Sequence, residues 1–193
     1  MLSYPLDLSF KIVTIGTRIS IKDATGRQVA YVRKKKLKLK EDVRVYEDEN
    51  QSRLLFRMKA DRMLDFSARY AISDPDGRPI GAVGRRGMKS LWSSVYVLED
   101  AYDTEAGSLR EETPWAKVLD GMMESLPLGD ALGGLFFNPA YLAELYGRGV
   151  LRIQKQPSVL ESSFRIDKLA DFSEEDLLLA GIVMMVLLER DRG

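Results

Sequence analysis

Residues Leu177–Leu188 read LLLAGIVMMVLL, twelve consecutive residues without one polar side chain. Acids bound the run: Glu174, Glu175 and Asp176 before it, Glu189 and Asp191 after it. As a helix it spans about 18 Å, well short of the ~30 Å of bilayer hydrocarbon. The segment is therefore read as an interior helix and not as a membrane span. Ser173-Glu-Glu-Asp176 supplies a capping-box-like start, with acids favoured in the first turn. A helix that is apolar on every side must be enclosed on every side, so the rest of the chain has to furnish a wall.

The first hundred residues supply wall material. Leu6, Leu8, Phe10 and Ile12 alternate with Asp7, Ser9 and Lys11, the period-two pattern of a strand with one buried face. Part of the pattern is written twice. Ile19–Lys35 (ISIKDATGRQVAYVRKK) and Tyr70–Arg86 (YAISDPDGRPIGAVGRR) align without a gap, placing Ile21 on Ile72, Asp23 on Asp74, Gly26 on Gly77 and Val32 on Val83. With one extra residue the match resumes, Leu39 on Leu91, Val43 on Val95 and Val45 on Val97. A fainter third copy places Val95 on Phe164 and Val97 on Ile166. A repeat of this length is one supersecondary unit, here a hairpin whose Asp-x-x-Gly turn uses an Asp that bonds its own backbone and a Gly that accepts positive φ.

Residues 101–145 break the rhythm. Leu109–Ser125 reads as a helix, with Thr113 at the N-cap, Pro114 at N1 and an apolar stripe of Trp115, Val118, Leu119 and Met122. Phe136–Tyr146 fits either a helix start at Asn138-Pro139 or a strand. Trp115, Met122, Met123, Phe136 and Phe137 seal a barrel end or form an apolar partner surface. Alternation then returns in Val150–Lys155 and Ser162–Asp167. The expected fold is mainly β: one domain over 1–193, an antiparallel sheet closed into a barrel, a partly helical insertion at about 101–135 and a central helix at about 173–190.

The absences narrow function more than the motifs do. The chain has no Cys and no His. That removes disulfides, thiolate nucleophiles, palmitoyl anchors, the Ser-His-Asp triad and the usual zinc ligand sets. Catalysis would fall to carboxylates, Lys, Tyr or Ser, and no pair of them has a telling spacing, so the reading is non-enzymatic, with no cofactor and no metal. Lys+Arg and Asp+Glu both number 29, which disfavours nucleic acid as a partner. The N-terminal MLSYPLDLSFK lacks the features of a signal peptide. The expected location is cytoplasmic, peripheral at a membrane where a lipid ligand is involved.

The two Asp-x-x-Gly hairpins and the apolar C-terminal helix after the last strand together resemble the tubby-like superfamily, most closely the LURP-one-related proteins and the phospholipid scramblases. The resemblance covers most of the chain outside 101–135. It implies a closed barrel of about twelve strands around a central helix. It also implies contact with anionic membrane lipids through basic side chains. The absence of Cys and of an EF-hand-type calcium loop separates this chain from typical scramblases.

The candidate site is basic. Arg33, Lys34, Lys35, Arg85 and Arg86 occupy matching places just beyond the two hairpins, and Lys155 stands at the corresponding place in the third copy. Converging on one rim, they would hold a phospholipid head group or a phosphorylated ligand, each cation worth about 1 kcal/mol near an anionic leaflet. The bland alternative is a solvated strand face with Lys guarding an edge. The rival functional readings are a protein-interaction scaffold using residues 101–145 and a scramblase-like activity. Asp23 and Asp74 are explained by their turns.

Overall fold

The computed structural model describes residues 2–13, 16–34, 42–64, 67–86, 95–112, 140–157 and 162–190. Twelve strands and one helix make up these residues. The strands are β1 (Leu6–Val13), β2 (Gly16–Lys22), β3 (Gln28–Lys34), β4 (Val43–Tyr46), β5 (Leu54–Leu64) and β6 (Ser67–Ser73). They continue with β7 (Pro79–Arg86), β8 (Val95–Asp100), β9 (Glu105–Glu111), β10 (Ala140–Leu145), β11 (Arg148–Gln156) and β12 (Ser162–Lys168). Helix α1 is Glu175–Arg190. Each strand pairs antiparallel with its neighbours in sequence, and β1 closes the barrel on β12.

Alternation assigns the faces. Leu6, Leu8 and Phe10 of β1, Ile19 and Ile21 of β2, Ala30 and Val32 of β3 and Phe56 and Met58 of β5 are buried on the inner wall. Tyr70, Ile72, Val83, Tyr96, Leu98, Leu109, Ala143, Leu151 and Ile153 continue it around the barrel. The side chains of α1 from Leu177 to Leu187 are buried against this wall on every side, packing most closely on β7 and β8. The enclosed-helix expectation is thus the architecture found.

The two hairpin turns are built alike. Gly26 and Gly77 have φ of 83° and 86°, and Ile21/Ile72 and Val32/Val83 all face inward. Beyond the hairpins the matched residues part company. Val43 and Val45 face inward, opposite Met58 and Phe56. Val95 and Val97 face outward, because Tyr96 and Leu98 are the inner residues of β8. An offset of two extra residues, not one, restores equal faces. The third copy fails in the same way, since Phe164 and Ile166 stand opposite the inward residues Leu8 and Leu6.

Residues 101–112 belong to the barrel and not to an insertion. Glu105–Glu111 is a wall strand between β8 and β10. Leu109 faces inward opposite Tyr96, and the inner position before it, opposite Leu98, is Gly107, so the strand shows little apolar alternation. Ala140–Leu145 resolves the second ambiguity as a strand. The helix placed at Thr113, and the aromatic residues from Trp115 to Phe137, lie outside the described residues. At α1 the first i→i−4 bond runs from the Leu178 N–H to the Glu174 carbonyl, so Glu174 and not Ser173 holds the cap position.

Candidate functional site

Register brings together cations that are far apart in sequence. Lys11 of β1 stands opposite Arg18 of β2, and Arg18 opposite Arg33 of β3. Arg44 of β4 stands opposite Arg57 of β5. The link between the two sets is the Tyr31–Tyr46 pair joining β3 to β4; two residues further along β3, and two back along β4, lie Arg33 and Arg44. All five alternate with inward residues, so all five are on the outer face. At about 4.8 Å per strand they form a row about 19 Å long.

Like charges directly opposite on neighbouring strands destabilise a sheet; elsewhere on the wall they occur as single pairs, Arg62 with Arg69 and Glu99 with Glu105, where Arg69 is held by Asp61, Glu99 and Asp103, and Glu105 by Arg86. Asp7 sits between Lys22 and Arg165, and Arg152 faces Asp167. The row has only two described acids as counter-ions: Glu49 lies 3.7 Å from Arg18 Nη1, and Asp42 lies 3.4 Å from Arg44 Nε. Arg57 Nη2 donates to the Pro75 carbonyl at 3.0 Å. Beneath the row Tyr31, also outward, is buried. Its hydroxyl pKa is raised first by that burial and then by Glu49, against the pull of Arg18 and Arg33.

The described residues expected to converge are divided between the two faces of the wall. Neighbours on a strand point opposite ways, so Arg85 and Arg86 separate. Arg86 is outward and ion-paired with Glu105 at 2.6 Å. Arg85 is inward, opposite the buried Tyr96. Lys155 is also inward, opposite Phe164. Arg33 joins the outer row on β3, four strands from β7. The Lys34 backbone pairs with Thr17, and Lys35 lies outside the described residues. Sequence reading missed Lys11, Arg18, Arg44 and Arg57. Their only signal is a basic residue between inward apolar ones, which becomes a row only once register is known.

The barrel end beside the first turn of α1 carries an acidic cleft. It has a volume of about 350 Å³ and is lined by Ile80, Asp100, Ser173, Glu174, Glu175, Asp176 and Leu177. Desolvation, reinforced by Glu175 and opposed by Arg53, raises the Asp176 pKa. Among the described residues no group of carboxylates is placed to hold a metal ion. Elsewhere on the wall, Arg69 is held by Asp61, Glu99 and Asp103. Burial disfavours its charge, yet these acids raise its pKa overall.

The family model described as LURP-one-related (LOR) matches residues 28–123, from the first residue of β3 to beyond β9. Over this span the chain is similar to the LURP-one-related family. Among solved structures, a protein from Arabidopsis thaliana is similar at 13% identity, covering 98% of this chain and 92% of its own, with a TM-score of 0.33. No curated protein matches. The family match contains Arg33, Arg44 and Arg57 of the row but not Lys11 or Arg18.

Proposed function

We propose that this chain is a non-enzymatic binding protein of the LURP-one-related type that docks on anionic phosphate-bearing lipid head groups through the outer row. The observation that carries the reading is the row itself: Lys11, Arg18 and Arg33 stand in direct like-charge register, as do Arg44 and Arg57. Folding alone gains nothing from that arrangement. A membrane leaflet offers many phosphates over a distance matching the row, whereas a single small ligand meets one or two of the cations. The docking is peripheral, since no helix among the described residues is long and apolar enough to cross a membrane.

Flotation with vesicles at low salt tests this. Wild type is expected to float with vesicles containing phosphatidylserine and not with pure phosphatidylcholine, and to be released as salt rises. Reversing Lys11, Arg33 and Arg44 to Glu abolishes flotation, while Arg165→Glu, outside the row, leaves it intact. Release by a soluble inositol polyphosphate at matched phosphate concentration would identify a free phosphate ligand and not a leaflet. Equal flotation of the wild type and the triple variant, or tighter binding to duplex DNA than to vesicles, would overturn the reading.

A further inference from the structure

One cation lies where the outer row cannot use it. Arg85 is on the inner wall of β7, directly opposite Tyr96 and diagonal to Tyr70, which stands opposite Val83. Both tyrosines are buried. Gly81, four residues earlier on the strand, approaches Leu177 in the first turn of α1, so Arg85 sits about 13 Å further along, toward the other end of the barrel.

Its guanidinium Nε and Nη2 are both buried, and neither donates a hydrogen bond among the described residues. Buried donors are almost always satisfied, and a charged one left unmatched is costly. Arg18 Nε and Arg57 Nε are also buried without an acceptor, but those two arginines each have another contact, Arg18 Nη1 3.7 Å from Glu49 and Arg57 Nη2 donating to the Pro75 carbonyl at 3.0 Å; Arg152 grips both oxygens of Glu112 at 2.9–3.0 Å, and Arg69 is held by three acids. Nε and Nη2 form one edge of the guanidinium, and that edge matches two oxygens carried on a single atom. Around it the wall is aromatic and apolar, which strengthens a charged hydrogen bond once made.

We infer that Arg85 anchors an internal oxyanion site whose ligand presents a carboxylate or a phosphate to the Nε–Nη2 edge. The site is independent of the outer row, being on β7 and on the opposite face of the sheet. Lys155 of β11 and Glu111 of β9 share the inner wall further around, and that mixture of signs favours a singly or doubly charged group over a polyanion.

Thermal unfolding of the full chain in sodium phosphate, sodium acetate and sodium chloride at matched ionic strength tests the inference. Wild type gains about 5–10 °C in Tm over chloride when phosphate or acetate exceeds its dissociation constant about a hundredfold. Which anion acts separates the phosphate from the carboxylate reading. Arg85→Lys keeps the charge but not the two-pronged edge, and loses most of the gain. Arg85→Met loses all of it, and in chloride is as stable as wild type or more so, because an unmatched buried charge has gone. Arg33→Glu, in the outer row, keeps the gain. The inference is overturned if wild type unfolds alike in all three salts, or if Arg85→Met retains the gain (an adventitious ion only). It is also overturned if Arg85→Met is less stable than wild type in chloride, which would give Arg85 an internal partner.

Discussion

Asp23 and Asp74 stand at the same place in two turns of one sequence pattern, yet the turns depend on them unequally. Asp23 Oδ1 accepts from the Thr25 N–H at 3.0 Å, the Thr25 hydroxyl at 2.5 Å and the Arg27 N–H at 3.1 Å, and Oδ2 accepts from Arg27 Nε at 3.3 Å. Asp74 Oδ1 accepts from the Arg78 N–H at 2.8 Å, and its side chain is 25% exposed against 1% for Asp23. The Thr25 hydroxyl chiefly, against desolvation, lowers the Asp23 pKa. A carboxylate whose folded pKa lies below its unfolded value of about 3.9 stabilises the fold fully above that value and loses the contribution as pH falls through the folded pKa. Asp23→Ala should therefore lower Tm clearly at neutral pH, with the gap to wild type closing below about pH 4. Asp74→Ala should cost less at every pH. Melting curves of both variants across the acid range decide it, and equal losses would contradict the difference in burial.

At the scale of elements, what the sequence announces is whatever is local. Leu6–Leu8–Phe10 and Ile19–Ile21 declare inner faces because one side of each strand touches the core and the other does not. The helix declares itself because enclosure on all sides leaves no polar position from Leu177 to Leu187. β9 stayed hidden because Gly107 takes an inner position where alternation needs an apolar side chain, and the pairing with β8 and β10 shows the strand. Inside the barrel, Gly181 is set by packing and not by helix propensity. A Cβ there would stand 2.7 Å from Leu98 Cδ2 and 3.0 Å from Leu109 Cδ1. Gly181→Ala gains about 1 kcal/mol of helix propensity but overpacks a closed core at about 1–3 kcal/mol. A net loss of up to about 2 kcal/mol is expected in denaturant titration. Shortening the neighbour in Gly181→Ala/Leu98→Val should recover part of it. Ile182→Asp or Leu187→Asp, placing a charge at a position with at most 1% exposure, should abolish soluble folding; a well-folded variant would contradict a central helix.

At the scale of the whole molecule, zero net charge conceals a segregation of charge. Acids line the cleft beside the first turn of α1, and the cationic row gathers on the outer face of β1–β5. The row was illegible for a physical reason: Lys11, Arg18, Arg33, Arg44 and Arg57 come from five strands, and register between strands is set by turns, bulges and barrel closure. The basic Arg33–Lys40 stretch is conspicuous in the sequence, but of its described residues it is Arg33 that joins the row, and residues 35–40 lie outside the described residues. If the row exists for an anionic surface, it carries a stability cost that one substitution can expose. Arg33 has no ion pair of its own among the described residues and stands opposite Arg18. Arg33→Glu replaces a repulsive cross-strand pair with an attractive one, a gain of about 0.5 kcal/mol, or about 1–2 °C in Tm at low salt for a chain of this size. The same change removes one cation and adds one anion at the docking face, a loss of about 2 kcal/mol or about thirtyfold in affinity for anionic vesicles. Stability and binding should thus move in opposite directions, and both effects should shrink together as salt is raised. A variant that loses stability and affinity together would show that Arg33 serves the fold, and that the row is a structural surface.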